Sequence, residues 1–355
     1  MKKFLCAMLA MVLLFTCVEA LAETKQTTNE LKTSVKVKNK YKDNPVIEGE
    51  SPITGLPADE AYTPVLVVID NAEDAYPHWG IAEASMMFQV PNAGSGATKL
   101  LALFADAYPE KVGGVRSARM TMLPIANAFN AAFASGNYAP VKGGNVSVKD
   151  NLREWKYKKN KKYFDLLGNS FKAREDFVNQ PHNLTFFCKE AHEYMIENKT
   201  KFEKRPFQFT DEPLTGGDQA TKITVKHYVD KDTGKVNNAS YTEYDYSAEK
   251  GGYTRTTATG LNKDRFTEKE LVFANIIVMR VNLKYQNGYQ YYEKHMVGSG
   301  NADIFQNGQH ITGAWVRKGV QDRLIFTDEN GEELKLQRGK TFVIVINETP
   351  DIFYE

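Results

Sequence analysis

The chain has 355 residues, of which 45 are lysine or arginine and 44 are aspartate or glutamate, so its formal net charge is +1 at pH 7. This balance excludes binding of nucleic acid or of an anionic membrane surface through net charge alone. A charged partner must therefore be recognised by a local site. The length is sufficient for two domains of ordinary size.

Residues 1–22 have the pattern of a cleavable bacterial secretory signal. Lys2 and Lys3 precede an apolar run over residues 4–18, and residues 20–22 form a small-x-small cleavage site. The run is shorter than the ~20 residues of a membrane-spanning helix. We therefore predict cleavage after residue 22. Retention as an anchor and lipid attachment at Cys17 are the alternatives, although Phe15 and Thr16 suit the lipoprotein peptidase poorly.

Cleavage changes both the charge and the cysteine content of the chain. It removes two lysines and one glutamate, which leaves the mature chain formally neutral. It also removes Cys6 and Cys17, so that Cys188 is the single remaining thiol. A lone thiol excludes an internal disulfide and a cysteine-based zinc site, and the fold must be stabilised by its core.

The elements of the first half indicate an α/β domain over residues 51–216. The polar, lysine-rich residues 23–50 predict a flexible linker before it. The apolar run at 65–69 has no polar alternation, which is typical of a strand buried on both faces, and further strands are predicted at 85–90 and 99–105. Helices are predicted at 120–135, with Ser117 as N-cap, and at 189–198.

The pattern changes after Gly216-Gly217. Short strands bounded by turn residues are predicted at 223–228, 241–246, 253–257, 276–281, 289–293, 314–317, 324–327, 332–336 and 341–346. Regular spacing of this kind indicates a mostly-β domain over residues 217–355. The predicted class is therefore α+β, with an N-terminal α/β domain followed by a mostly-β C-terminal domain.

Motifs in order along both halves resemble the YerB-like family of bacterial envelope lipoproteins, which have two consecutive domains of unknown function. The N-terminal motifs are Ser51-Pro52-Ile53-Thr54-Gly55-Leu56-Pro57, Val68-Ile69-Asp70-Asn71, Gly80-Ile81-Ala82-Glu83-Ala84, Leu101-Ala102-Leu103-Phe104, Val115-Arg116-Ser117-Ala118-Arg119 and Pro181-His182-Asn183-Leu184. The C-terminal motifs are Ala274-Asn275-Ile276-Ile277-Val278, Val297-Gly298-Ser299-Gly300, Gly313-Ala314-Trp315 and Gly339-Lys340-Thr341-Phe342. The resemblance implies a fold and an envelope location, and no reaction.

Two motifs depart from the family pattern. Where the family commonly has Gly-Gly-Ile-Thr-Arg, this chain has Gly96-Ala97-Thr98-Lys99, which keeps a positive charge and loses the bidentate fork of arginine. Where the family often has His-Ala-Gly-Gly, this chain has Phe133-Ala134-Ser135-Gly136. A family site that used this histidine is altered here.

The segment from Arg116 to Arg119 is the candidate site. If Ser117 caps a helix, the amide groups and the positive dipole end point toward the two guanidiniums and predict a phosphate or carboxylate site. Lys99 adds charge, and His182 and Asn183 add directional polar contacts. The alternative is structural, with both arginines paired to carboxylates that pin the loop.

Asp70 and Asn71 lie at the end of the first buried strand, where site residues of α/β sheets are found. The carboxylates that follow match no calcium loop, and we predict neither a metal nor a cofactor. Cys188 and His192 lack the signature of a nucleophile pair. The C-terminal tyrosines are typical of strand packing, with a stacking surface for sugar or peptide as the alternative.

These observations favour an exported, envelope-associated protein without catalytic activity. It is expected to bind an anionic ligand or a protein partner through the Arg116–Arg119 loop, with no nucleic-acid partner and with membrane contact only through a lipid on Cys17. One alternative is an enzyme that acts on phosphate-linked envelope polymers or lipid pyrophosphates. The other is an interaction scaffold that uses the β domain.

Overall fold

The computed structural model describes residues 23–92, 97–168, 170–227 and 241–355. The predicted secretory signal and Cys17 lie outside the described residues. In the part of the chain that the structure describes, strands account for 38% of the residues and helices for 10%, so this part is β-rich. The predicted α+β class with an N-terminal α/β domain is therefore wrong. No helix within the described ranges is long and apolar enough to cross a membrane.

The strands and helices have the following bounds. The strands up to residue 220 are β1 (Lys25–Gln26), β2 (Val65–Asp70), β3 (Met86–Pro91), β4 (Thr98–Phe104), β5 (Val112–Gly113), β6 (Ala132–Ser135), β7 (Tyr163–Asp165), β8 (Lys172–Arg174), β9 (Leu184–Phe186), β10 (Gln208–Thr210) and β11 (Asp218–Gln219). Those that follow are β12 (Lys222–Lys226), β13 (Tyr241–Ser247), β14 (Gly252–Thr257), β15 (Gly260–Leu261), β16 (Val272–Phe273), β17 (Asn275–Arg280), β18 (Leu283–Gln286), β19 (Tyr289–Tyr292), β20 (Gly298–Gln306), β21 (Gln309–Arg317), β22 (Ile325–Thr327), β23 (Lys335–Gln337), β24 (Thr341–Ile346) and β25 (Asp351–Tyr354). The α-helices of the described ranges are α1 (Leu123–Ala128), α2 (Val148–Glu154) and α3 (Cys188–Glu197).

An eleven-stranded sheet joins the two halves of the chain. Its order is β11-β21-β20-β17-β24-β3-β4-β2-β6-β7, and β22 pairs with β21. The halves meet where β24 pairs in parallel with β3, with Thr341 opposite Met86. Strands that are distant in sequence therefore form one continuous ladder through the middle of the molecule.

A second sheet covers one face of the first. It has seven strands in the order β1-β25-β12-β13-β14-β15, with β16 paired to β14. Side chains of both sheets, such as Val67 of β2 and Tyr244 of β13, belong to one apolar cluster. A second cluster on the opposite face of the large sheet contains residues of the short helices α1 and α2, including Ile125 and Leu152.

This layering explains why the sequence of the first half predicts an α/β domain. Leu66 and Val68 of β2 pack into one apolar cluster, while Val67 and Ile69 pack into the other. A strand buried on both faces has a continuous apolar run whatever covers it. Here the covering layers are a second sheet and short helices, and β2 pairs antiparallel with its neighbour β4.

The largest local difference between prediction and structure concerns the helix predicted at 120–135. Helix α1 occupies only its middle, and residues 132–135 form β6, which pairs in parallel with β2 so that Val65 lies opposite Ala132. In β6 the Phe133 ring faces one core and the flanking alanines face the other. Residues buried on every side match a helical spacing and a strand equally well. The helix predicted at 189–198 is confirmed by α3.

The N-terminal residues 23–50, for which we expected a flexible linker, lie along the folded body. Strand β1 pairs with β25, and the backbone N–H of Thr27 continues the ladder to the Ile352 carbonyl at 3.0 Å. Farther on, the Leu31 carbonyl accepts a hydrogen bond from the Asn301 N–H at 2.9 Å. Such contacts use backbone and polar groups, so they leave no apolar pattern in the sequence.

Candidate anion-binding site

Asp70 is the last residue of β2 and is 1% exposed. Strand β6 pairs with β2 only as far as Val67. Beyond that point, the residues that follow β5 lie alongside β2. The Asp70 N–H donates to the Gly114 carbonyl at 2.8 Å, and the Arg116 N–H donates to the Val68 carbonyl at 2.9 Å. The predicted site loop is thus held against the end of the buried strand by backbone hydrogen bonds.

Three basic side chains converge on the Asp70 carboxylate. Lys99, which is opposite Asp70 in the β2–β4 ladder, places Nζ 2.6 Å from Oδ1. Arg116 Nε and His182 Nδ1 lie 2.7 and 2.8 Å from Oδ2. Burial opposes ionisation of Asp70, but these neighbours outweigh it and lower its pKa below the ordinary value. Asp70 therefore remains a carboxylate at neutral pH.

The approach of these segments requires two glycines. A Cβ at Gly114 would lie 1.8 Å from the His182 carbonyl oxygen, and a Cβ at Gly113 would lie 2.0 Å from the Trp79 ring. Side chains at either position would push the loop away from its neighbours. The Gly-Gly pair that precedes the candidate site is therefore needed for the packing that brings His182 to Asp70.

Arg119 adds a charge that no carboxylate compensates. Its Nη1 donates to the Ala118 carbonyl at 2.8 Å, and its guanidinium lies 5.9 Å from the centre of the Tyr289 ring. Within the described ranges, no carboxylate lies within ion-pair distance of it. Burial and the nearby charge of Arg116 both lower the pKa of Arg119. Lys99, Arg116 and Arg119 therefore set three cations against the single carboxylate of Asp70.

Two of the predicted site residues have other roles. Helix α1 begins six residues after Ser117, with Met122 as its N-cap, so Ser117 caps no helix and the expected helix-end contribution is wrong. Asn183 accepts a hydrogen bond from Arg174 Nη1 and donates one to the Glu175 carbonyl, both at 2.7 Å. Its amide stabilises the loop that holds His182.

Asn71 belongs to a closed ring of hydrogen bonds that sequence analysis missed. The Arg255 guanidinium donates to the Tyr76 hydroxyl at 3.0 Å, which donates to Asn71 Oδ1 at 2.6 Å. Asn71 Nδ2 and Gln89 Nε2 both donate to the Thr98 hydroxyl, at 2.7 and 3.1 Å. Arg255 Nη2 closes the ring on Gln89 Oε1 at 3.1 Å. This ring connects β14 of the second sheet to the candidate site.

The described ranges contain no group of three or more His, Cys, Asp or Glu side chains arranged to hold a metal ion. Cys188 is buried in the core, which raises the pKa of its thiol well above the ordinary value. His192 Nδ1 lies 2.6 Å from the Thr63 hydroxyl, and its ring stacks on Tyr108.

Two larger cavities lie away from Asp70. They measure about 290 and 600 Å³, border the N-terminal segment, and share Asn44, Val46 and Pro206. The arginines in their walls are neutralised locally, since Arg205 pairs with Glu203 at 2.7 Å and Arg323 pairs with Glu333 at 2.6 Å. The larger cavity is also lined by Lys40, Lys204 and Lys318, which share its wall with Asp43, Glu203 and Asp322. In the Asp70 cluster the basic side chains share one carboxylate, which favours that cluster as the site of an anion.

The chain belongs to the YerB-like family, whose members carry two domains of unknown function in tandem. Residues 53–201 match the model of the DUF3048 N-terminal domain, and residues 233–343 match that of the DUF3048 C-terminal domain. Both models are described as domains of a protein of unknown function.

A curated relative and a solved structure support this assignment. The chain is 28% identical over 311 residues to a Bacillus subtilis (strain 168) protein named "Putative lipoprotein YerB", and the match covers 85% of this chain and 87% of the relative. It is also similar to the crystal structure of the YerB protein from Bacillus subtilis, with 24% identity and a TM-score of 0.71. That match covers 85% of this chain and 99% of the solved chain, and it shows a shared fold.

Proposed function

We propose that this protein is an exported envelope protein that binds an anionic ligand, without transforming it, at the cluster formed by Asp70, Lys99, Arg116, Arg119 and His182. The observation that carries the proposal is the surplus of positive charge. Two cations and a histidine meet one buried carboxylate, and Arg119 adds a further cation with no carboxylate partner in the described residues. A bound phosphate or carboxylate would compensate this charge.

The role of Asp70 favours binding over catalysis. Both of its oxygens are engaged by basic side chains, and these hold it in the ionised form. An engaged carboxylate orients its partners and is not free to move a proton or to coordinate magnesium. The hypothesis of an enzyme for lipid pyrophosphates depended on Asp70, so we propose the binding role instead.

The location is proposed from the relative and from the first residues. The Bacillus subtilis relative is named as a lipoprotein, and residues 1–22 of this chain have the pattern of a secretory signal. Export through this signal would place the site outside the cytoplasm. Mass spectrometry of the mature N-terminus tests this, because cleavage before Glu23 and acylation of Cys17 give different masses.

Calorimetric titration of the purified protein with inorganic pyrophosphate tests the binding site. We expect saturable binding that weakens at least about tenfold in Arg119→Gln, since that substitution removes a charge without breaking an ion pair. Arg153→Gln is the control for loss of a surface charge, because its side chain is 83% exposed on α2 and its pair with Asp150 is long, at 3.6 Å. No binding by the unmodified protein, or equal binding by all three, would refute the proposed site.

A further inference from the structure

The β18–β19 hairpin places two tyrosines on the face that lies beside Arg119. In the antiparallel register, Gln286 is opposite Tyr289 and Lys284 is opposite Tyr291, so these four side chains share one face. On the opposite face Tyr292 is 1% exposed. On the first face the Tyr291 ring packs partly against the apolar core, while Tyr289 lies beside Arg119.

The chemistry of the face that carries Tyr289 suits a ring with hydroxyl groups. Tyr289 lies next to the Arg119 guanidinium, and Tyr289 and Tyr291 are both half-buried. Neither of their hydroxyls has a hydrogen-bond partner in the described part of the chain. A half-buried tyrosine offers an apolar ring for stacking and a hydroxyl for hydrogen bonding. The exposed Lys284 adds a polar donor at the same face.

We infer that the ligand of the site is a phosphorylated saccharide. This inference rests on the proposed function and assigns the chemical class of its anion. The phosphate binds at Lys99, Arg116 and Arg119, and the sugar ring packs on Tyr289 with its hydroxyls toward the hairpin. A free phosphate would leave the adjoining tyrosine face unused, while a saccharide phosphate contacts both surfaces.

The test compares four probes by calorimetric titration of the purified protein: glucose 1-phosphate, glycerol 3-phosphate, adenosine monophosphate and inorganic pyrophosphate. Glucose 1-phosphate and glycerol 3-phosphate are both phosphate monoesters, but only the first carries a ring. We expect glucose 1-phosphate to bind about tenfold more tightly than glycerol 3-phosphate and more tightly than the nucleotide. Tyr289→Ala should reduce the preference over glycerol 3-phosphate to about twofold.

Tyr285→Ala is the matched control, since Tyr285 belongs to the same hairpin and is on its other face, 57% exposed. It should keep the full preference for glucose 1-phosphate. Equal affinities for the two esters, a preference that survives Tyr289→Ala, or tighter binding of the nucleotide would overturn the saccharide assignment alone. Absence of binding by every probe would instead overturn the proposed function.

Discussion

Arg116 and Asp70 form an ion pair, with 2.7 Å between Nε and Oδ2, at a carboxylate that is 1% exposed. Lys99 contacts the other oxygen of the same carboxylate at 2.6 Å. A buried ion pair is a weak source of net stability, but removal of one partner is costly because the other charge stays buried. The Asp70 carboxylate is therefore the element on which the basic residues of the site depend.

Asp70→Asn should lower the free energy of unfolding by about 3–5 kcal/mol, because it leaves Lys99 and Arg116 without their counter-charge. Asparagine has nearly the same shape, so the loss reports charge and not volume. Urea denaturation at pH 7 measures the change. Asp74→Asn, at an exposed position four residues later, is the control and should stay within about 0.5 kcal/mol of the unmodified protein. A loss below 1 kcal/mol in Asp70→Asn would contradict the anchoring role.

The buried imidazole of His78 is expected to make the stability of the protein depend on pH. Its Nε2 lies 2.5 Å from the Asp70 carbonyl oxygen, and burial lowers its pKa from 6.5 to about 4. Between these values the unfolded chain takes up a proton that the folded protein does not, so stability falls as the pH decreases from 6.5 to 4. The linkage relation gives a total loss of about 3 kcal/mol from this group.

The comparison with His78→Gln isolates that contribution, since the other titrating groups are common to both proteins. Urea denaturation at pH values from 8 to 4 should show a smaller loss of stability in the variant as the pH falls below 6.5. Above pH 7 the two curves should run parallel. Parallel curves over the whole range would show that His78 is protonated in the folded protein as readily as in the unfolded chain.

The hydrogen bonds of Arg255 predict that contact between the two sheets contributes to the free energy of unfolding. It is 1% exposed, and its hydrogen-bond partners are the neutral groups of Tyr76, Gln89 and Asn262. Arg255→Lys keeps the charge but cannot reach all three partners, so buried acceptors lose their donors. Chemical denaturation should show a loss of at least about 2 kcal/mol, whereas the exposed Arg153→Lys should be nearly neutral. Equal stability of both variants would show that the hydrogen-bond ring is dispensable.

Local patterns were sufficient to predict part of the fold and of the site. The strand over residues 65–69 and its polar end at Asp70 follow from an apolar run that stops at turn residues. The opposite position of Lys99 depends on the antiparallel pairing of β2 with β4, which the sequence did not specify. The loop with two arginines was recognised by composition, but the helix expected after it begins later. The Ala118 N–H bonds to the Asn137 carbonyl at 2.7 Å, and residues 120–122 form a turn before α1.

The rest depends on contacts between distant segments, which no local period encodes. Arg255 of β14 meets Gln89 and Tyr76 only because the second sheet packs on the first. Likewise, the hairpin with Tyr289 lies far along the chain from Arg119. Polar residues buried by such packing have the same appearance in a sequence as solvated ones. The full set of residues around the site therefore follows from the three-dimensional structure and not from local sequence patterns.

The docked N-terminal segment supplies the last prediction. Thr27 is 6% exposed, and its hydroxyl accepts a hydrogen bond from Arg280 Nη2 at 2.7 Å. Arg280 is completely buried and also pairs with Asp303. Thr27→Val preserves shape and removes the acceptor, so a charged donor is left unsatisfied, at a cost of about 1–3 kcal/mol in unfolding free energy. Urea denaturation measures this loss.

The neighbouring Thr28→Val provides the control, because Thr28 is exposed and its hydroxyl accepts only from the nearby Glu30 N–H. It should change stability by no more than about 0.5 kcal/mol. If residues 23–50 acted as a free linker, neither substitution would matter and both proteins would unfold alike. A selective loss in Thr27→Val would show that this polar segment is part of the folded structure, since only a docked segment can place Thr27 against the buried guanidinium of Arg280.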